Sequence, residues 1–255
     1  MAIVTLTSDL GNKDHYAALL KAGILSAEPS TTIVDISHEI QPHNISQAAY
    51  ILKSSFAQFP EGTIHIAAVD TGNVSVPSIL LQYMNHFFIG PDNGLLSLVL
   101  ESDAQEMVLL PKPEKHTTFI AKDVFVPACI YLLQGKKITD LGQSLQHIVT
   151  KIPVTPPVGD DFIMAGVIHI DRFGNIILNI TKSQFNSIVQ GRQVSISYSR
   201  RDVFTQISNS YDDVPEGERL ILFNSAGHLE IAVNKGNAHA LLGIQIDARI
   251  QIEIK

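Results

Sequence analysis

The sequence has little cysteine, little charge and no long apolar run, and each shortage excludes a class of protein. Cys129 is the single cysteine among 255 residues, so an intrachain disulfide and a cysteine metal cage are both excluded. Charged residues make up 17% of the chain, the net charge is −7 and no basic run occurs, so we do not expect nucleic acid as a partner. No apolar run approaches the ~18–20 residues that span a bilayer, so we expect no membrane segment.

Motifs for several common chemistries are missing as well. The sequence contains no Walker loop, no Rossmann glycine fingerprint, no nucleophile elbow and no zinc-ligand set. The run from His38 to His43 (HEIQPH) is one residue too long for the HExxH zinc motif, and Pro42 forbids the uninterrupted helix that this motif needs. We therefore predict no metal site and no cofactor. The opening residues lack a basic region followed by a long apolar region, so a cytoplasmic location is expected.

The first half of the chain alternates between strand and helix patterns. Residues 2–7 (AIVTLT) form an apolar strand pattern, and a helical pattern begins near Tyr16 after the turn from Ser8 to Gly11. Further strand patterns lie at 32–36, 63–69, 79–83, 86–90 and 107–110, with helical patterns at 45–59, 95–100 and 123–133. This alternation favours an α/β domain with a mixed central sheet and flanking helices.

The second half of the chain has a different pattern. Residues 151–160 (KIPVTPPVGD) contain three prolines and a glycine, which makes them the best linker candidate. Beyond them the pattern is almost all strand, with candidates at 163–170, 175–180, 192–199, 203–207, 219–223, 228–233, 240–242 and 245–254. We therefore predict an α/β domain at 1–150, a linker at 151–161 and a small antiparallel all-β, barrel-like domain at 162–255.

Carboxylates stand at the carboxyl ends of two predicted strands. Asp9 follows the first strand and Asp70 follows the third. Open α/β sheets hold their ligands at such strand ends. The carboxylate of Asp9 can accept hydrogen bonds from two adjacent hydroxyls, as on a ribose. The alternative for Asp9 is that it caps the following helix.

The most informative stretch is 168–179 (IHIDRFGNIILN), where a polar turn interrupts a β-rich run. Asp171 offers a carboxylate for an ammonium, Phe173 a ring that can stack on a flat base, and Asn175 an amide that can recognise a base edge. Gly174 lets the backbone turn or approach a ligand closely. The alternative is an ordinary polar hairpin tip. Together with the two strand-end carboxylates, this turn favours a nucleoside-like ligand held between domains.

A series of motifs along the chain resembles the S-adenosylmethionine (SAM) hydroxide adenosyltransferase family, which is related to the fluorinating and chlorinating SAM enzymes. With points for other positions, the motifs are TSDLG, VDISHEI.PH.I, VD.G, F.GPDNGLLS.VL, DVF.PA, DRFGN, YDDVPEGE and NS.GHLEIAVN.G. They cover nearly the whole chain in order. The resemblance implies an N-terminal α/β sheet and a C-terminal β-barrel. It also implies a homotrimer in which SAM lies where one subunit's N-terminal domain meets a neighbour's C-terminal domain.

The resemblance implies roles for single residues as well. Asp9 resembles the carboxylate that holds the ribose diol. In the second domain, Asp171 resembles the group that takes the methionine ammonium, and Asn175 the group that recognises the adenine edge. Phe173 and Tyr211 resemble the residues around the adenine plane.

At the other end of the ligand, Ser225 resembles the contact to the methionine. The reaction that the resemblance implies is attack of water at the ribose C5′, which gives adenosine and methionine. Because SAM is a sulfonium, its leaving group is already activated, and neither a metal nor a covalent nucleophile is needed. The site has to align the water with the C5′–S bond and exclude bulk solvent.

The residues expected to handle this water depart from the family pattern. The family uses an Asp, an Arg and a His, of which only the Asp is matched, by Asp70. No arginine follows it in VDTGNVSVPS, and Ile120 stands at the histidine position in TFIAKD. His43 aligns with a position that lines the nucleophile pocket of the halogenating relatives. A neutral imidazole there can act as base or orient the water, and a polar turn residue is the alternative.

Three functions of different classes therefore compete. We expect SAM hydrolysis with Asp70 as the remaining acid–base group and His43 as a substitute for the missing groups, which makes these two the candidate catalytic residues. The alternative is a binding protein that holds SAM or adenosine without turnover. A halogenase is disfavoured because Asp70 would face the incoming anion, and two unit charges about 4 Å apart repel by roughly 4 kcal/mol at an effective dielectric constant near 20.

Overall fold

The structure is a computed structural model that describes residues 2–113, 115–198 and 203–255. The chain divides into two units, Met1–Ile152 and Pro153–Lys255. Over the described residues, each unit is built around its own seven-stranded sheet. The predicted fold class is confirmed: a mixed α/β sheet with helices, followed by an antiparallel, barrel-like all-β sheet.

The N-terminal sheet brings the ends of two parallel strands together at one edge. Its strands are β1 (Ile3–Ser8), β2 (Thr32–Ser37), β3 (Ile64–Ala68), β4 (Ser78–Tyr83), β5 (His86–Pro91), β6 (Glu106–Leu109) and β7 (Gln143–Ser144). Their order across the sheet is β2-β1-β3-β5-β4-β6-β7. Strands β2, β1, β3 and β5 run parallel, and β4 runs antiparallel to both of its neighbours. The carboxyl ends of β1 and β3 are therefore adjacent, where α/β sheets hold ligands.

Helices cover both faces of this sheet. They are α1 (Tyr16–Ala27), α2 (Ile45–Lys53), α3 (Leu95–Val99) and α4 (Val126–Leu133), with a π-helix at Ala121–Phe125 leading into α4. One hydrophobic cluster packs α1 and α4 on one face, and a second packs α2 and α3 on the other. Burial on both faces explains why the parallel strands are nearly continuous apolar runs. Among the described residues, we find no helix with the length and apolar character needed to cross a bilayer.

Helix α2 is shorter than the helix that the sequence predicts at 45–59. Helix α2 ends at Lys53, and a 3₁₀ turn at Phe56–Gln58 follows. The hydroxyls of Ser54 and Ser55 donate to backbone carbonyls of the preceding turn. Such local bonds compete with the helical ladder, which accounts for the early end.

The C-terminal unit is an antiparallel sheet that encloses its own apolar interior. Its strands are β8 (Phe162–Ile170), β9 (Ile176–Thr181), β10 (Val194–Ser197), β11 (Val203–Phe204), β12 (Arg219–Phe223), β13 (His228–Val233) and β14 (Arg249–Ile254). Their order is β11-β10-β14-β8-β9-β13-β12, and each neighbouring pair is antiparallel. Alternate residues of the strands, such as Ile163, Ala165 and Val167 in β8, form one buried cluster.

Among the described residues of this unit, which the sequence pattern predicts as almost entirely strand, two α-helices occur. Helix α5 (Lys182–Val189) begins with a capping box between Thr181 and Gln184. Helix α6 (Ala238–Leu242) begins at Asn237, whose side chain accepts from the backbone N–H of Ala240. The strand predicted at 240–242 is therefore wrong, because the side-chain cap starts a helix there.

Other predicted strands are longer than the observed ones. The candidate at 245–254 begins only at Arg249, because Gly243 and Asp247 take positive φ angles and turn the chain before it. The candidate at 203–207 ends at Phe204. The last residue of the candidate at 192–199 lies outside the described residues.

Candidate functional site

One carboxylate connects three loops at the carboxyl edge of the parallel strands. Oδ2 of Asp9 accepts hydrogen bonds from the backbone N–H of His43 at 2.9 Å and of Asp70 at 3.1 Å. Asp9 directly follows β1, Asp70 follows β3, and His43 lies in the turn between β2 and α2. Helix α1 has His15 at its N-cap, so Asp9 is not the cap of that helix. The side chain of Asp9 instead sets the positions of the other two loops.

The same loops bring the imidazole of His43 against the carboxylate of Asp70. Nδ1 of His43 lies 2.8 Å from Oδ1 of Asp70, and the two side chains are 73% and 43% exposed. A carboxylate only accepts hydrogen bonds, so we assign the proton to Nδ1 and leave Nε2 of a neutral imidazole as an acceptor. The pair thus presents an oriented base at the sheet edge.

Both members of this pair have an unusual backbone conformation. The φ angle is +65° at His43 and +56° at Asp70. For residues other than glycine, this left-handed region costs roughly 1–2 kcal/mol. Such conformations persist only where the surroundings hold them, and they concentrate at functional sites. The hydrogen bonds to Asp9 supply that restraint.

A buried histidine anchors the turn that carries His43. Nδ1 of His38 lies 2.6 Å from Oγ of Ser8, at the end of β1. Nε2 of His38 lies 3.2 Å from Oδ1 of Asp35, close in distance but without hydrogen-bond geometry. His38 is almost fully buried. The first histidine of HEIQPH therefore has a structural role. Within the described ranges, no group of three or more His, Cys, Asp or Glu side chains is placed to hold a metal.

The position expected to carry the family's histidine is part of the hydrophobic core. Ile120 is 8% exposed and belongs to the cluster beneath α1 and α4. It lies directly before the π-helix. The loop from Thr71 to Pro77, where the family's arginine is missing, is mostly exposed. Neither segment supplies a base, so His43 is the basic side chain bonded to Asp70.

In the C-terminal unit, the turn between β8 and β9 is organised around Asp171. Oδ1 of Asp171 accepts from the backbone N–H of Phe173 at 2.9 Å and of Asn175 at 2.8 Å. Its Oδ2 accepts from the side-chain amide of Asn175 at 3.0 Å. Gly174 has a φ of +84°, and an added Cβ would lie 2.2 Å from the side chain of Asn237, so this position requires glycine.

These bonds leave different groups available at the same turn. The ring of Phe173 is 73% exposed, which leaves a face open for stacking. The amide of Asn175 is buried, with its oxygen and one N–H not used by Asp171. The turn therefore combines an exposed aromatic ring with a fixed carboxylate and a fixed amide.

A second group in this unit connects Tyr211 to a carboxylate that sequence reasoning missed. The hydroxyl of Tyr211 donates to Oε1 of Glu230 at 2.7 Å, and Nδ2 of Asn224 donates to Oε2 at 3.2 Å. Burial raises the pKa of Glu230, against the opposing effect of these two hydrogen bonds. Burial and the bond to Glu230 raise the pKa of the Tyr211 hydroxyl far above its ordinary value. The sequence feature that could have pointed to Glu230 is a single acidic residue within the apolar strand HLEIAV.

Ser225 lies at the exposed tip of the turn between β12 and β13. The turn is closed by the backbone N–H of Gly227, which donates to the carbonyl of Asn224 at 2.9 Å. The side-chain oxygen of Asn224 also accepts from the backbone N–H of Ala226 and of His228, both at 3.1 Å. Ser225 is thus connected to Tyr211 through Asn224 and Glu230.

Comparison with known proteins decides the family. Residues 4–142 match the SAM hydroxide adenosyltransferase N-terminal domain, and residues 165–251 match the SAM hydroxide adenosyltransferase C-terminal domain. The chain belongs to the SAM hydroxide adenosyltransferase family. The two matched regions lie within the two units of the structure, so both units are those of the family.

Individual members of this family align over nearly the whole chain. The (R)-S-adenosyl-L-methionine hydrolase of Thermus thermophilus is 30% identical, with 96% of this chain and 97% of that protein covered. The enzyme of the same name from Methanocaldococcus jannaschii is 31% identical, with 98% and 95% covered. A crystal structure of an uncharacterized conserved protein from Thermotoga maritima superposes with a TM-score of 0.88 at 30% identity, with 98% and 99% covered.

Within this family's fold, the expected site residues fall into connected groups. Direct hydrogen bonds connect Asp9, His43 and Asp70 in the N-terminal unit. In the C-terminal unit, Asp171 and Asn175 are connected directly. The geometry provides hydrogen-bond acceptors and an oriented imidazole in one unit, and an aromatic ring with a carboxylate and an amide in the other.

Proposed function

We propose that this protein hydrolyses SAM by attack of water at the ribose C5′, giving adenosine and methionine. The observation that carries the proposal is the contact between His43 and Asp70 at the carboxyl edge of the parallel strands. It provides an oriented base where the family's Arg and His are missing. The names of the relatives from T. thermophilus and M. jannaschii support the same reaction.

In the proposed mechanism, His43 removes the proton and Asp70 orients the imidazole. Nδ1–H of His43 donates to Asp70, and Nε2 accepts a proton from the attacking water. The water oxygen forms a bond to C5′ while the C5′–S bond breaks, and the bonding pair returns to sulfur. Sulfur becomes the neutral thioether of methionine, and the imidazolium then releases its proton to solvent. No metal or cofactor is part of this proposal, because the sulfonium is already an activated leaving group.

The remaining residues are assigned to binding different parts of SAM. Asp9 accepts from the ribose hydroxyls through Oδ1, since its Oδ2 is occupied by two backbone donors. Phe173 and Tyr211 flank the adenine plane and Asn175 contacts its edge. The methionine end is bound by two further residues, Asp171 at the ammonium and Ser225.

The experiment is incubation of pure protein with SAM in water enriched in ¹⁸O. We expect equal amounts of adenosine and methionine by chromatography, with the label in the 5′-hydroxyl of adenosine and none in methionine. Asp70→Asn should lose the reaction while still binding SAM, and Asp103→Asn, at an exposed loop carboxylate, serves as the matched control. If calorimetry shows SAM binding but no adenosine forms, even at equal enzyme and SAM concentrations, the protein binds SAM without turnover and the hydrolysis proposal fails.

Assembly as a homotrimer in the cytoplasm is part of the same proposal. The apolar side chains of Tyr16, Leu19 and Leu25 on α1 are exposed, as at many subunit interfaces. The single thiol, Cys129, is buried and free, which suits a reducing compartment. Light scattering should give a mass near three times 27.9 kDa. The inter-subunit sites expected from the family stay a prediction.

A further inference from the structure

Glu230 is a buried carboxylate that the proposed reaction does not use. It lies on β13 with its side chain on the face of a small apolar cluster formed by Leu220, Leu222 and Ala232, and it is 3% exposed. Leu222 of β12 is its direct cross-strand neighbour. A carboxylate in such surroundings is costly unless donors satisfy both of its oxygens. Its presence in an otherwise apolar strand therefore calls for a specific role.

Of the two donors to Glu230, Asn224 has a fixed direction. Oδ1 of Asn224 already accepts two backbone N–H groups, so its amide cannot rotate and its NH₂ must face Glu230. The hydroxyl of Tyr211 donates to the other oxygen. The oxygen that faces Asn224 must therefore be an acceptor, whereas a tyrosine hydroxyl can either donate or accept. A carboxylate accepts from both partners through charged oxygens, and the amide of a glutamine can keep both contacts only without that charge.

The two donors belong to the segments that carry two of the expected ligand contacts. Tyr211 begins the 3₁₀ turn Tyr211–Asp213, and Asn224 directly precedes Ser225. Glu230 itself is in the middle of a strand paired on both sides, with β12 and with β9. A rigid strand thus holds two loops through one side chain.

We propose that Glu230 is a positioning residue for the adenine and methionine contacts of the C-terminal unit. Its carboxylate holds the ring of Tyr211 and the turn that carries Ser225 in one arrangement before the ligand binds. Ordering these segments in advance lowers the entropic cost of binding, so Glu230 acts on affinity and leaves the chemical step unchanged. This role rests on the SAM site of the proposed function.

The first test compares Glu230→Gln with the wild type and with Glu216→Gln. Glu216 is an exposed carboxylate of the same unit that pairs with Lys235 at 3.1 Å, which makes it a matched control. We expect Glu230→Gln to raise KM for SAM and the Kd for adenosine about tenfold, because both hydrogen bonds lose their charge assistance. The value of kcat should stay within about twofold. An unchanged KM and Kd in Glu230→Gln would overturn the positioning role and leave hydrolysis standing.

A second test separates positioning from general stability. Hydrogen exchange in residues 208–214 and 224–228 should become faster in Glu230→Gln, while exchange in the core strands stays the same. In a Tyr211→Phe background the further effect of Glu230→Gln on adenosine affinity should shrink, since the shared bond is already gone. Equal effects in both backgrounds, or exchange that rises throughout the unit, would overturn the proposal.

These measurements also distinguish this role from the proposed reaction. If the wild type binds adenosine but does not hydrolyse SAM, hydrolysis fails, and the affinity and exchange results still decide the role of Glu230. If the wild type binds neither SAM nor adenosine, both proposals are overturned.

Discussion

The imidazole of His43 and the carboxylate of Asp70 lie in contact, with 2.8 Å between Nδ1 and Oδ1, although 27 positions separate them in the chain. The backbone N–H groups of the same two residues donate to one oxygen of Asp9. The three residues form one hydrogen-bonded unit through two backbone N–H groups and one side-chain contact. For substitutions at these positions, measuring SAM affinity and the rate of hydrolysis separately should therefore distinguish a binding role from a catalytic one.

His43→Asn should abolish most of the hydrolysis and leave the fold and SAM affinity intact. Asparagine tolerates the positive φ of this position, so the midpoint of thermal unfolding should change little. Loss of a positioned base typically lowers a rate by about 10²–10⁴-fold. Adenosine release by chromatography measures the rate, and His147→Asn, at an exposed histidine, is the control. A variant at position 43 as active as the wild type would remove the imidazole from the mechanism.

Asp9→Ala should reduce both SAM affinity and turnover. The substitution removes the acceptor for the ribose hydroxyls, and hydrogen bonds to a charged group are worth about 1.5–3 kcal/mol, so affinity should fall by about ten- to a hundredfold. It also frees the backbone N–H groups of His43 and Asp70, so kcat should fall as well. Calorimetry and steady-state kinetics measure the two effects, with the exposed Asp14→Ala as control. Unchanged SAM binding would exclude Asp9 from the site.

Chloride in the assay should not produce 5′-chloroadenosine. In the proposed mechanism the water lies at Nε2 of His43, across the imidazole from Asp70, and the negative charge of Asp70 repels an incoming anion there. We expect adenosine as the product from SAM at any chloride concentration, measured by chromatography against a 5′-chloroadenosine standard. Detection of the chlorinated nucleoside would show that the pocket accepts halide despite Asp70.

The N-terminal unit should lose stability in acid because of a buried histidine. His65 is fully buried, with Nδ1 at 2.7 Å from Oγ1 of Thr5 and Nε2 at 3.2 Å from Nδ1 of His86. Burial, with a further contribution from the charge of His86, lowers the pKa of His65 from 6.5 to about 3. Between these values the unfolded chain binds more protons than the folded chain. The free energy of unfolding should therefore fall as the pH decreases through this window, by up to about 1.4 kcal/mol per pH unit for this group.

Urea unfolding at about pH 7 and about pH 5 measures this effect. His65→Gln should be less stable at neutral pH, because it loses the stacking of the imidazole on Phe88, but its stability should depend less on pH. His147→Gln, at an exposed position, should keep the wild-type dependence. A His65→Gln profile parallel to the wild type would show that another group causes the acid sensitivity.

The sequence allowed the fold and much of the candidate site to be predicted, because those features depend on local patterns. Apolar runs ending in Asp9 and Asp70 located the strand ends, and the turn around Asp171 followed from polar residues inside a β-rich run. The contact between His43 and Asp70 depends on two positive φ angles that tertiary bonds impose, and no local pattern specifies them. The roles of these residues toward SAM stay predictions.

The missed features have a similar physical origin. Glu230 is one acidic residue in an apolar strand, and only the folded unit shows that Tyr211 and Asn224 converge on it. The sequence predicts a strand where helix α6 lies, because five residues are too few to show a helical repeat of apolar positions. The side-chain cap at Asn237 is what starts the helix. Local sequence is a poor guide wherever a single side-chain hydrogen bond decides the conformation.

The hydrophobic clusters of the two units have no member in common among the described residues. The division of the chain falls at residue 152, in a segment where Ile152 and Val154 are exposed. A recombination event near that position would join two halves from different family members without mixing the side chains of either interior. The turns around Asp171 and Tyr211, which we propose as SAM contacts, would then be inherited together, and neither interior would have to be repacked.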